Sequence, residues 1–112
     1  MTTYLDGSET NLSVKKAQEW FRARLGKRLD TTFLTPAEGG ARVTETHGRT
    51  LSVSRYAPKS AFELDGSEVD VTGKYGKRRI SLIDPDTLQI TLLDDEDNVW
   101  RILTYTESEV QA

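Results

Sequence analysis

Between Leu29 and Tyr105 the chain never holds a helical period. Apolar residues alternate with polar ones in short runs, and turn-forming residues interrupt them about every 8–12 positions. The runs are Leu29-Thr31-Phe33, Val43-Glu45, Leu51-Val53, Phe62-Leu64, Val69-Val71, Ile80-Leu82, Leu88-Ile90-Leu92 and Val99–Tyr105. Between them stand Pro36 with Gly39-Gly40, His47-Gly48, Pro58, Asp65-Gly66, the segment Gly73–Arg78, Asp84-Pro85-Asp86 and Asp94–Asp97. Asp-Gly between two alternating runs is a strong hairpin signal. Parallel strands need crossovers of about a dozen residues or more, and none of these connections offers one. The pattern predicts a sheet of seven to eight antiparallel strands in meander order. Strands of about six residues are short enough to close into a small barrel, which removes exposed edges.

One helix precedes the strands. Val14, Ala17, Phe21 and Leu25 fall on one stripe, with Trp20 on its flank and Lys15, Glu19 and Arg22 opposite. Ser13 is the expected N-cap and Gly26 the left-handed residue after the last turn. The fold class is therefore α+β, an N-terminal helix packed on the meander. Residues 1–11 read as a flexible leader, 12–106 as one domain and 107–112 as a C-terminal tail.

Composition narrows the chemistry. The chain has 112 residues, no cysteine and a single histidine, so thiol nucleophiles, disulfides and thiolate metal sites are excluded. His47 lies beside Gly48, where a solvated turn is the simplest reading, and one histidine without cysteine does not make a zinc site. The run Asp94–Asn98 resembles the start of a calcium loop, but Val99 stands at its sixth position and no Glu at its twelfth. No Gly-x-Ser-x-Gly elbow is present. These features lead to the expectation of a non-enzymatic protein with no cofactor and no metal. No apolar run reaches the ~20 residues of a membrane span, and no secretory signal opens the chain. A cytoplasmic protein without a membrane partner is the corresponding expectation.

Charge is divided along the chain. Residues 1–60 hold ten Lys/Arg against six Asp/Glu, a balance of +4; residues 61–112 hold five against twelve, a balance of −7, for a net −3. Asp94, Asp95, Glu96 and Asp97 form the acidic peak. Lys74, Tyr75, Lys77, Arg78 and Arg79 form the dense basic cluster. In a meander these two turns project from the same end of the sheet, about 10 Å apart. Trp100 and Tyr105 have opposite parity on the last strand, so one is expected in the core and the other exposed as a partner anchor.

Three functions follow as expectations. The first is a protein-binding module of inhibitor or adaptor type, meeting a basic partner surface through Asp94, Asp95, Glu96, Asp97, Trp100 and Tyr105. The second is a lipocalin-like binder with a small apolar pocket. The third is contact with single-stranded nucleic acid through the basic turn 74–79, where phosphate contacts combine with stacking on Tyr75. Oligomeric state has no signature in the sequence.

Overall fold

The computed structural model describes residues 12–53, 62–69, 71 and 77–111. The positions read as a leader, the break at Pro58, and Lys74 and Tyr75 of the basic cluster lie outside the described residues. One helix, α1 (Val14–Arg22), precedes seven strands: β1 (Arg28–Ala37), β2 (Gly40–Val53), β3 (Phe62–Leu64), β4 (Ser67–Val69), β5 (Lys77–Asp84), β6 (Thr87–Leu93) and β7 (Val99–Glu107). All pairings are antiparallel and the sheet order is β4-β3-β2-β1-β7-β6-β5. This is the ring order of a meander in which first and last strands pair and the break falls between β4 and β5. The sheet curls into a half-barrel and does not close, so the expected barrel is corrected to an open one.

The helix begins where its cap predicts. Ser13 is extended, and its side chain accepts a hydrogen bond from the N–H of Lys16. It ends a turn earlier than its apolar stripe, at Arg22, and Gly26 takes φ +85° in the turn beyond. Val14 and Leu25, the two ends of the stripe, are exposed, whereas Ala17, Trp20 and Phe21 are buried. Trp20 thus belongs to the core rather than to the flank. Its indole N–H donates to the Pro85 carbonyl, and the Arg24 guanidinium lies 4.0 Å over its ring. Arg24 also donates to Pro85 O, and its Nε stands 2.9 Å from the Glu107 carboxylate. That Nε–H is not aimed at the oxygen, so the contact is Coulombic rather than a directed hydrogen bond.

Alternation places one residue set inside the curl. Leu29, Leu51, Phe62, Leu64, Val69, Ile80, Leu88, Ile90 and Tyr105 form a continuous buried cluster with Ala17, Trp20 and Phe21. The Phe21 ring stacks on Phe62 at 5.5 Å and meets Tyr105 edge-on at 5.3 Å. The same parity continues along the strands to Phe33, Leu92 and Leu103, which are only partly buried. The core is therefore filled at one end of the half-barrel and unfilled at the other.

Two irregularities decide the strand count and the faces. His47-Gly48 is not a hairpin. β2 runs through it as a single strand of fourteen residues, with a bulge between the pairs Leu29↔Arg49 and Thr31↔Thr46. Gly48 takes φ +66° there, and its N–H is held by Asp30 Oδ1 at 2.9 Å. A glycine at positive φ serves a bulge as well as a turn, which is why two expected strands are one. The Asp65-Gly66 turn does form the expected hairpin, with both residues at positive φ. At the other end of the sequence β7 extends to Glu107, and Gln111 donates to and accepts from the backbone of Arg28.

Candidate functional site

The unfilled end of the half-barrel collects the candidate residues. Two adjoining spaces share Phe33 and Arg101. One, of about 280 Å³, is lined by Phe33, Leu92, Leu103, Tyr105, Trp100, Arg78, Arg101 and Glu68. The other, of about 410 Å³, lies over Thr35, Arg42, Thr44 and Arg101. Glu68 on edge strand β4 and Arg78 on edge strand β5 line the first space together, so the sheet curls far enough to bring its two edges to one cavity.

A bulge brings Trp100 there. Leu92 pairs with Arg101 and Leu93 with Val99, which leaves Trp100 as the extra residue of β7. The inserted residue breaks alternation. Trp100 therefore lines the same cavity as Tyr105, and the opposite-face expectation from parity is corrected. Tyr105 is in the core at 2% exposure and Trp100 is 44% exposed.

The acidic turn rims this end. The Asp94 carboxylate accepts hydrogen bonds from the backbone N–H groups of Asn98 and Glu96, each at 2.9 Å. The backbone bond from Asn98 foremost holds its pKa below the ordinary value; desolvation opposes it, and the Glu96 bond, the Asn98 side chain and the Lys77 charge add to the lowering. Asp97 takes φ +63° and pairs with Lys77 at 3.1 Å. Two of the four carboxylates are thus engaged in building the turn, and Asp95 and Glu96 remain directed to solvent.

The basic cluster is divided by the pleat of β5. Lys77 reaches the acidic turn as the meander order requires, Arg78 faces the cavity, and Arg79, opposite Thr91, lies on the outer face. His47 stands in the β2 bulge, 3.6 Å from both Asp30 and Glu45, away from the cavity lining. Among the described residues no group of three or more His, Cys, Asp or Glu gathers as a metal site, and no helix is long and apolar enough to cross a membrane.

Phe33, Arg42, Leu92, Arg101 and Leu103 complete the cavity and were not among the sequence candidates. Their signal was parity. Arg78 alternates with Ile80 and Leu82, and Arg101 with Leu103 and Tyr105, so each strand carries an arginine on its inward face at the same end.

Comparison of the chain with protein-family models, with characterised proteins and with solved structures finds no match.

Proposed function

We propose that this protein is a non-enzymatic binding module that holds a small molecule on the unfilled half of its inner face, in the manner of a lipocalin-like half-barrel. In this reading α1 packs over the opposite end of the sheet and closes it, so that the chain has one sealed end and one receptive end. The observation that carries it is the cavity of about 280 Å³ bordered by Phe33, Leu92, Trp100 and Leu103. Clefts of this scale, largely apolar with a few convergent polar groups, suit small ligands. A fragment screen read by methyl and aromatic chemical shifts tests it: binders should perturb Leu92, Leu103 and Trp100 together. Fragments that bind only the outer face, or a screen without binders, would defeat the reading.

A second reading, a protein-binding module at the acidic sheet end, draws on the exposed Val99 and Trp100 beside Asp95 and Glu96. Exposed aromatics next to charge suit an interface with a basic partner. Asp95→Asn with Glu96→Gln should then weaken capture of a basic protein and flatten its salt dependence; an unchanged salt dependence would count against this second reading.

A further inference from the structure

We infer that the cleft takes a small organic anion, an apolar or flat body carrying a carboxylate or phosphate, with Arg42 and Arg101 as its charge partners. This rests on the small-molecule reading above and specifies the chemistry of its ligand.

The two arginines share one cavity with Phe33. Arg42 sits on β2 opposite Thr35 of β1, and Arg101 sits on β7 one position beyond the pair Leu34↔Ile102. Their backbones are thus separated by two strand spacings, about 10 Å. Both side chains line the same space, so a single oxyanion held between the two guanidinium groups fits that span. Among the described residues neither arginine forms an ion pair, and the Nε of Arg101 is buried without a hydrogen-bond acceptor. The Arg101 guanidinium lies 5.1 Å over the Phe33 ring, an orientation that pre-sets the donor fork that matches carboxylate and phosphate. An uncompensated cation in a half-buried position calls for an anion.

The remaining walls say what kind. Leu92, Leu103 and Trp100 offer apolar surface for a hydrocarbon or ring, while the two sheet edges add one cation, Arg78, and one carboxylate, Glu68, so a single compact anionic group is favoured over several. The rim beside Trp100 carries Asp95 and Glu96. A polyanion leaving the cleft over that rim meets like charge within a Debye length, whereas a compact anion with its charge directed inward does not. The acidic rim thus favours a small ligand over single-stranded nucleic acid.

The test uses two fluorescent probes of matched shape, the anion 8-anilinonaphthalene-1-sulfonate and the neutral N-phenyl-1-naphthylamine, titrated into the intact chain. The anionic probe should bind more tightly. Arg101→Gln and Arg42→Gln should each weaken the anionic probe by about tenfold, the scale of one charge-assisted hydrogen bond, and leave the neutral probe unchanged. Displacement by benzoate or by phenyl phosphate then separates a carboxylate from a phosphate ligand. Should Arg101→Gln lower the thermal midpoint, Arg42→Gln, at an exposed position, carries the test alone. Equal binding of both probes, insensitive to either substitution, overturns the anion inference and leaves the cavity reading standing. Absence of binding by both probes overturns the two together. Displacement of the anionic probe by oligothymidylate but by neither small anion overturns the inference in favour of nucleic acid.

Discussion

Phe21 and Phe33 allow the division between a filled and an unfilled end to be measured with one kind of deletion. Phe21 has no exposed surface and touches the rings of Phe62, Tyr105 and Trp20. Phe21→Ala removes its transfer free energy and leaves a cavity that three rigid rings cannot collapse into, a loss of about 3–5 kcal/mol. Phe33 is only partly buried and borders open space. Phe33→Ala creates no new closed cavity, so only a reduced transfer contribution remains, about 1–2 kcal/mol. The two variants should differ by roughly 2–3 kcal/mol in urea unfolding at constant m-value. At this chain length that corresponds to roughly 6–15 °C in thermal midpoint. Because domains of this kind hold only about 5–15 kcal/mol in total, Phe21→Ala should approach the threshold of folding. Lys15→Ala, on the exposed side of the same helix, serves as the control and should fall within about 0.5 kcal/mol of the parent. Equal losses for the two phenylalanines would refute the reasoning, since the inner face would then be uniformly packed and no receptive end would exist. A loss below about 1 kcal/mol for Phe21→Ala would show that α1 contributes nothing to the core.

Other outcomes follow from named contacts. Asp94 has a lowered pKa because its ionised carboxylate accepts the Asn98 and Glu96 amides; its stabilising effect is complete above the ordinary aspartate range and lost as pH falls through the lowered value. The amides of Glu96 and Asn98 should therefore lose exchange protection in acid before the β6–β7 strands do, and Asp94→Asn should abolish that pH step. Gly48→Ala should cost about 1–2 kcal/mol through its positive φ alone, because an added Cβ at this position meets nothing within 4 Å; a loss above about 3 kcal/mol in denaturant unfolding would point to a steric clash instead. Arg24→Met removes the hydrogen bond to Pro85 O and the Glu107 contact, with an expected loss of about 1–3 kcal/mol. Its coupling to Glu107→Gln in a double-mutant cycle should be at least ~0.5 kcal/mol.

Local chemistry made much of this architecture legible. Ser13 as a cap, the Asp65-Gly66 hairpin, the turns at 84–86 and 94–97 and the meeting of Lys77 with the acidic turn all follow from the immediate sequence. What escaped were features set by distant partners. Gly48 reads the same in a turn and in a bulge, and only the continuous pairing of β2 with β1 decides between them. Trp100 departs from parity because it is itself the extra residue of a bulge, and that bulge is defined by the register of β7 with β6. Closure was expected from strand number, but among the described residues β4 and β5 do not pair with each other. The site was half legible for a related reason. Charge density drew attention to the rim, while the inward arginines Arg42, Arg78 and Arg101, on three different strands, gain significance only when the curl gathers them at one end.

The pairing of β1 with β7 has a consequence for how the chain acquires its shape. β1 through β4 and β5 through β7 can each form from neighbours in sequence, with little loop entropy to overcome. Leu29 meets Glu107 only after nearly the whole described chain has been made. The core is divided in the same way: Phe21, Leu29, Leu51 and Phe62 come from the first group, and Ile80, Leu88, Ile90 and Tyr105 from the second. Phe21 stacks on Phe62 within the first group and meets Tyr105 only across the two. Contact order then predicts that docking of the two groups across β1 and β7 is the late, slow step of folding, which stopped-flow refolding of a β1–β7 interface variant would check. Until it occurs, β1 presents an unpaired edge, and in this interval the nascent chain is most open to pairing with another copy.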